Sequence, residues 1–247
     1  MKRILFLTFY FRPDLCAGSF RNSPLLDELS RQTGDKNIQI DVFTTAPNRY
    51  SSFNRSYRPV EEFGNVRIVR IDIPSHKSGM KDQALSFKTY FFETLKKTKQ
   101  IDYDLVYGSS SRFFTSYLAY RIAKRNNCPL YVDVRDIFSE TFSEAAGHPL
   151  LRTIFPSLIS RFEKRVYSYA THINLISEGF TSSFENYPSA SFSYYTHGVD
   201  PIFLTQSKTR TIADKTAEKK SKAKVLYAGN IGQGQGLHKI IPYAAKQ

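Results

Sequence analysis

The sequence predicts an α/β fold in which a largely parallel sheet is flanked by helices. Two observations support this prediction. Short apolar runs, rich in β-branched and aromatic residues, alternate along the chain with segments of helical length and spacing, and this alternation is typical of crossover units. With 41% hydrophobic residues, the 247-residue chain can also bury a sizeable core. The predicted strands are 3–8, 38–43, 66–71, 104–108, 130–134, 172–177 and 191–195.

The first predicted strand lies in MKRILFLTFYF, which begins like a signal peptide, with basic residues before an apolar run. The run is short, and Arg12, Pro13 and Asp14 follow it without a small-residue cleavage site. We therefore expect a buried strand. No stretch of the sequence has the roughly 18 to 20 uninterrupted apolar residues that a membrane-spanning helix needs.

After this strand, the turn around Gly18 is expected to bring the backbone close to a ligand, and Ser19 or Ser23 is expected to cap the next helix. Arg21 would lie in the first helical turn, where a cation is unfavourable unless a phosphate or carboxylate is near. The dinucleotide fingerprint GxGxxG is absent. The later segment 45–64 is a long loop, which is either a lid over an acceptor or a surface loop.

The ends of the later predicted strands carry polar residues, and ligands of parallel α/β sheets bind at such ends. Asp133, Arg135 and Asp136 follow one strand, and they either form an internal ion pair or bind a substrate. Ser109 and Ser177 end other strands and either cap a helix or bind a ligand hydroxyl, and His197 also follows a strand. The DxD pattern at 102–104 precedes its strand, so we expect it at the opposite end of the sheet and predict no metal site.

Charge and composition divide the chain further. A formal charge of +13 favours phosphate-rich partners, and two cysteines without a CxxC spacing indicate free thiols in a reducing compartment. The lysine-rich segment 204–222 has little apolar content, which is typical of an exposed linker. We therefore expect an N-terminal domain over 1–203, and the first strand, glycine-rich loop and partial helix of a second domain over 223–247.

Six segments in this order resemble the motifs of the family 4 glycosyltransferases, especially the bacterial surface-polysaccharide members. They are 10–19 (YFxPxxGG type, with one glycine, Gly18), 47–50 (PNxY), 133–136 ([DE]xRD), 176–179 (VSEG), 197–200 (NGVD, with His197 in place of Asn) and 227–236 (YAGNxGxxQG). The resemblance covers the whole chain. It implies the N-terminal, acceptor-side half of a GT-B fold, built from Rossmann-like domains, and the start of the donor-binding half.

The resemblance also implies transfer of a sugar from a UDP- or GDP-linked donor, with retention of anomeric configuration and without a cofactor. Many relatives carry a histidine at the place of Arg135. From the resemblance and the strand-end positions we expect catalytic roles for Arg135 and Asp136. We expect substrate contacts from Gly18, Arg21, Asn48, Arg49, Tyr50, Ser109, Asp133, Ser177 and His197, and contacts to the donor diphosphate from Gly229, Asn230, Gly232, Gln235 and Gly236.

In this family a basic pair for the diphosphate and an E-x7-E element follow the segment that ends at residue 247, so we expect the chain alone to be inactive. The expected acceptor is a glycan or a polyprenyl-diphosphate-linked glycan, and the expected location is cytoplasmic and peripheral on the anionic inner membrane face. The alternative is a non-catalytic lipid- or glycan-binding subunit of a split transferase, whose partner chain supplies the donor half. A nucleic-acid-binding module is a third interpretation, but the sequence has no helix-turn-helix, zinc or RNP signature.

Overall fold

The computed structural model describes residues 1–48, 56–74, 80–110, 112–137, 149–187, 189–198, 226–227 and 236–244. The chain divides into two units, Met1–Gly198 and Val199–Gln247. In the second unit the described structure is one short helix, α5 (Leu237–Ala244), and the two residues 226–227.

The first unit is built on an eight-stranded sheet whose strands lie in the order β3-β4-β2-β1-β5-β6-β7-β8. Only β3 runs antiparallel, against β4; every other neighbouring pair is parallel. The strands are β1 (Lys2–Leu7), β2 (Ile38–Thr45), β3 (Val60–Phe63), β4 (Val66–Ile71), β5 (Leu105–Ser109), β6 (Leu130–Val134), β7 (His172–Leu175) and β8 (Ser191–Tyr194). The α/β prediction is therefore confirmed.

The helices connect parallel strands, as right-handed crossovers require. They are α1 (Ala17–Thr33), α2 (Met80–Lys97), α3 (Phe113–Asn126) and α4 (Pro149–Tyr169), and a 3-10 helix (Glu178–Phe184) follows β7. Because each helix returns the chain from the carboxyl end of one strand to the amino end of the next, the helix N-termini and the loops before them share one edge of the sheet.

Two apolar clusters, one built around Phe6 and Leu26 and the other around Leu5 and Leu118, form the core of this unit. Burial of these side chains is the main stabilising contribution, at about 25 cal/mol per Å² of apolar area. β1 lies in the middle of the sheet, and Leu5, Phe6 and Leu7 are fully buried. The N-terminal run is therefore a core strand, as predicted.

Three local predictions were wrong. β3 was missed: it lies inside the predicted 45–64 loop and pairs with β4 through the two-residue turn at Gly64 and Asn65, which is a recognised hairpin signal. α1 begins at Ala17, so Ser19 lies within the helix, and the capping position is held by Cys16, whose side chain makes no capping hydrogen bond. Likewise α3 is preceded by Arg112, so Ser109 does not cap it, and the Arg112 side chain makes no capping hydrogen bond.

No helix in the described parts of the chain is both long enough and apolar enough to cross a membrane. Cys16 and Cys128 are not joined in a disulfide bond.

Candidate active site

The candidate site lies where the carboxyl ends of β5, β6, β7 and β8 meet. These strands are neighbours in the sheet, so residues at or just after their ends come together. Ser109 ends β5, Asp133 lies near the end of β6, and Arg135 follows it. His197 comes shortly after β8. The predicted residues of these strands therefore converge on one edge.

A two-pronged ion pair joins α1 to β6 at this edge. Arg21 donates from Nε to Asp133 Oδ2 and from Nη2 to Asp133 Oδ1, both at 2.7 Å. The two side chains are only 9% and 2% exposed. Burial acts to lower the pKa of Arg21, but the hydrogen-bonded carboxylate of Asp133 outweighs it, and the net shift is upward. The sequence predicted a phosphate or carboxylate near Arg21, and in the structure that group is the carboxylate of Asp133.

The same pair holds the segment after β8. Arg21 donates to the carbonyl oxygens of Thr196 (2.7 Å) and Tyr195 (2.9 Å). Asn174, in β7, donates to Asp133 Oδ1 at 2.7 Å and accepts from the Tyr195 backbone N–H at 3.0 Å. Asp133 therefore accepts three hydrogen bonds from protein donors, with at least one on each carboxylate oxygen. Sequence reasoning missed Asn174, although a polar residue inside the apolar run HINL was a usable signal.

Arg135 is the cation at this edge that retains donor capacity. Its backbone N–H donates to Ser110 Oγ at 2.9 Å, and its Nη2 lies 3.4 Å from His197 Nε2. Its Nε and Nη1 atoms are shielded from solvent and have no hydrogen-bond partner among the described residues. Burial lowers the pKa of Arg135, yet guanidinium stays charged in proteins. A shielded charge whose Nε and Nη1 donors are unused is costly unless an acceptor atom of a ligand binds them.

His197 and Asp136 flank this guanidinium. Arginine only donates, so the contact requires His197 Nε2 to accept, which a neutral imidazole protonated on Nδ1 can do. Partial burial lowers the pKa of His197, and the nearby Arg135 and Arg21 lower it further. Asp136 is exposed, and no hydrogen bond or salt bridge joins it to another described residue. The arrangement offers one cation with unused donors, Arg135, and one solvent-facing carboxylate, Asp136.

A buried hydrogen-bond network supports the edge from the α1 side. Asn22 donates from Nδ2 to Thr8 Oγ1 (2.9 Å), Gly18 O (3.0 Å) and Ser109 Oγ (3.2 Å), and accepts from Tyr107 OH (3.2 Å). Ser109 is completely buried, and Gly18 is buried in the first turn of α1. These groups fix where α1 begins relative to β5.

Asn48 lies after β2, on the other side of β1. Its backbone N–H donates to Asp14 Oδ1 at 3.1 Å, and its Nδ2 donates to Thr45 Oγ1 at 2.6 Å. Its Oδ1 is buried without a hydrogen-bond partner. The predicted neighbours Arg49 and Tyr50 lie outside the described residues, so Asn48 is the one predicted site residue of this segment whose position is described.

Arg112 is a further cation at this edge that sequence reasoning did not single out. Its Nη2 donates to Tyr10 OH at 2.6 Å and its Nη1 to Gln83 Oε1 at 2.7 Å, while the guanidinium lies over the Phe9 ring at 5.4 Å. These contacts tie α2 and α3 to the segment after β1. The one available signal was a cation directly before a predicted helix.

The remaining predicted residues are placed as follows. Ser177 caps the 3-10 helix by accepting from the Gly179 backbone N–H at 3.2 Å. Gly236 precedes α5 with φ of 61°, a conformation that favours glycine. Gly229, Asn230, Gly232 and Gln235 lie outside the described residues.

Asp104 of the DxD pattern precedes β5 and accepts from the Arg3 backbone N–H at 2.7 Å, so the pattern lies at the amino end of the strands, as predicted. Among the residues that the structure describes, no group of three or more His, Cys, Asp or Glu side chains is arranged to hold a metal ion.

Comparison with solved structures identifies the class of fold. A sucrose-phosphate synthase from Thermosynechococcus elongatus aligns with 84% of this chain and 96% of its own, at 9% identity and a TM-score of 0.52. At this identity the likeness shows a shared fold, the GT-B glycosyltransferase type.

Two further similar structures are a UGT transferase from Siraitia grosvenorii in complex with UDP and Anabaena HepE in complex with UDP and glucose. The first has a TM-score of 0.46 at 12% identity, over 84% of this chain and 54% of its own. The second has a TM-score of 0.44 at 15% identity, over 81% of this chain and 45% of its own. The present chain thus spans about half of each. No family model and no curated protein matches the sequence.

Proposed function

We propose that this chain is the acceptor-side portion of a glycosyltransferase that moves a sugar from a UDP- or GDP-linked donor to a glycan or lipid-linked acceptor. The observation that carries the proposal is Arg135. Its Nε and Nη1 donors are shielded and unused by the described residues, and they lie just after the carboxyl end of β6. They are suited to hydrogen-bond a phosphate or sugar oxygen. The GT-B type of fold and the six ordered sequence segments support the same reading.

In this proposal, breaking the bond between sugar and diphosphate leaves negative charge on the departing oxygen. Fixed donors aimed at such a charge are usually the largest contribution to catalysis. Arg135 supplies two of them to the sugar or diphosphate, and backbone amides of the loop with Gly229, Gly232 and Gly236 supply others, with the side chains of Asn230 and Gln235. No metal or cofactor is needed in this scheme, because cations and amides do the work.

The acceptor side follows from the remaining residues. Asp136 is exposed and orients the attacking hydroxyl, while His197 contacts the transferred sugar beside Arg135. Asn48, Arg49, Tyr50 and Ser177 line the acceptor path in this proposal, and the buried Gly18 and Ser109 position α1 beside it. Arg21 and Asp133 bind one another and are assigned a positioning role, since their polar atoms are already engaged.

We further propose family 4 membership, retention of configuration, hexosyl transfer and a role in surface polysaccharides such as capsule or lipopolysaccharide. These finer assignments rest on the sequence motifs. The proposed site of action is the cytoplasmic membrane face, since a charge of +13 attracts a peripheral protein to anionic lipid.

The test is a transfer assay on the protein expressed from its full coding sequence. A panel of UDP- and GDP-sugars is offered with a polyprenyl-diphosphate-linked acceptor or a soluble glycan. We expect transfer from one donor class and a loss of about 100-fold or more in kcat/KM for Arg135→Gln, because removing one such donor typically costs 10²–10³. Arg161→Gln, an exposed change on α4, is the matched control and should stay within about twofold.

An unchanged rate in Arg135→Gln would contradict the role of Arg135. Acceptor binding without transfer from any donor would instead favour the non-catalytic subunit of a split transferase.

A further inference from the structure

A groove of about 900 Å³ lies in the helix layer, lined by α2, α3 and α4 and by the turn after α2. Six of its lining residues are basic, and none is acidic. They are Lys96, Lys99, Arg121, Lys124, Arg125 and Arg165. Leu95, Tyr117 and Tyr120 complete the lining. We call this surface the basic groove.

The basic groove is remote from the candidate active site. Its six cations lie in the second half of a helix or in the turn just after one, and these helices begin at the carboxyl ends of the strands. Asn126, in the last turn of α3, accepts from the Tyr103 backbone N–H just before β5, which places this helix end at the amino end of the strands. The groove therefore has no part in the chemistry proposed for Arg135.

Helix periodicity explains why the cations converge. Leu95 and Lys99 are four residues apart along α2 and its following turn, and Tyr117, Arg121 and Lys124 follow i, i+4, i+7 spacing on α3. Tyr117 stacks on Phe91 (ring centroids 6.3 Å apart) and meets Phe162 edge-on (4.9 Å). These ring contacts fix the position of Tyr117 in the lining of the groove, beside the cations.

The cations have little internal compensation. Arg125 donates to the Thr98 carbonyl oxygen at 2.6 Å and Lys124 to Tyr120 OH at 3.3 Å. Across the described ranges, none of the six forms a salt bridge with a carboxylate. Helix dipoles favour Lys96, Lys124 and Arg125, which lie in the last turns of α2 and α3. They do not account for Arg121 or for Arg165, since α4 has no basic residue in its last turn.

We propose that the basic groove is a second anion site, which binds a ligand carrying two or more phosphate groups. Like charges gathered this closely repel one another, and a multivalent anion removes the repulsion while gaining several charge-assisted hydrogen bonds. The volume fits a small ligand or the headgroup region of a phospholipid. This site is independent of the proposed transferase activity.

The experiment compares two triple variants of the full chain. The groove variant is Lys96→Gln, Arg121→Gln, Arg165→Gln, with one exposed cation removed from each helix. The control variant is Lys88→Gln, Lys97→Gln, Lys164→Gln, which removes the same charge from exposed positions outside the groove on α2 and α4. Equal thermal unfolding midpoints confirm that both variants are folded.

Two probes separate the sources of phosphate. Inorganic tripolyphosphate binding is measured by titration calorimetry, and binding to vesicles of cardiolipin, whose head group carries two phosphates, is measured by sedimentation, both at about 0.1 M salt. Each surface cation near an anionic group contributes about fivefold in affinity, so the groove variant should lose about 100-fold for at least one probe. The control variant should lose less than about fivefold, because Lys88, Lys97 and Lys164 do not line the groove.

Loss with tripolyphosphate identifies a soluble phosphate ligand, and loss with vesicles alone identifies a lipid headgroup; either supports the site. Equal losses in the two variants would show that net charge, rather than the groove, attracts anions, and would overturn the proposal. Failure of the wild-type chain to bind either probe would overturn it as well.

Discussion

Removing the charge of Asp133 tests the account of the Arg21–Asp133 pair most directly. In Asp133→Asn the side chain keeps its shape, but Arg21 loses the carboxylate that two of its N–H groups contact at 2.7 Å. With side chains only 9% and 2% exposed, solvent cannot replace that contact. Breaking one half of a buried ion pair costs about 3–5 kcal/mol. We expect about 3 kcal/mol, since the asparagine oxygen still accepts one hydrogen bond and Arg21 keeps two carbonyl partners.

Urea unfolding, followed by far-UV circular dichroism, measures this loss as a drop in the unfolding midpoint at constant slope. Asp27→Asn is the matched control: Asp27 accepts from Arg12 Nη1 at 2.7 Å but is 52% exposed, so its loss should cost less than about 1 kcal/mol. If both variants lose the same free energy of unfolding, the Arg21–Asp133 pair is not the buried anchor described here. Replacing both partners, as Arg21→Met with Asp133→Leu, should cost less than the sum of the single changes, because no charge is then left unpaired.

Three further predictions concern packing, a buried hydroxyl and pH. Gly108→Ala should lower the free energy of unfolding in urea by about 1–3 kcal/mol, because the new Cβ would lie 2.6 Å from Ala119 Cβ. Gly198→Ala is the control and should be neutral, since a Cβ there would have no atom within 4 Å. Equal effects of the two changes would contradict the prediction. Tyr90→Phe should cost about 1 kcal/mol, since its hydroxyl, fully buried, donates to the Phe43 carbonyl at 2.9 Å; no loss would show that this bond is not formed. Partial burial and Arg135 lower the pKa of His197 from 6.5, so the unfolded chain binds more protons as pH falls below that value and stability should decrease. The thermal midpoint should drop less between pH 7.5 and 5.5 in His197→Asn than in the wild type, and an equal drop would refute the shift.

Much of the fold could be predicted from local pattern. All seven predicted strands are present. Six of them are short apolar runs whose burial in a parallel sheet needs no long-range information, whereas the edge strand β8 is largely exposed. β3 escaped since Val60–Phe63 has exposed and acidic residues and exists only as a partner for the edge of β4. Helix starts were missed where, as at Cys16, no side-chain hydrogen bond caps the helix and hydroxyl residues lie just inside it.

The candidate site was predictable in position but not in pairing. Strand-end reasoning brought Asp133, Arg135 and His197 to one edge, because parallel strands share that edge. It could not show that Asp133 pairs with Arg21, 112 residues earlier in the chain, rather than with the adjacent Arg135. Two residues apart across the end of β6, Asp133 and Arg135 are in different surroundings, and only the three-dimensional packing of α1 decides which cation the carboxylate binds.

That choice of partner determines what Arg135 can do. Because Arg21 pairs with the carboxylate of Asp133, the shielded Nε and Nη1 donors of Arg135 remain unused by the described residues. Because Arg21 also holds the carbonyl groups of Tyr195 and Thr196, the following His197 is kept within 3.4 Å of Arg135 Nη2. Arg21 therefore holds the edge of the sheet together, and Arg135 remains available to hydrogen-bond a ligand oxygen. A histidine at position 135 would be a shorter donor that can be neutral, so Arg135 suits a more strongly anionic contact than a histidine would.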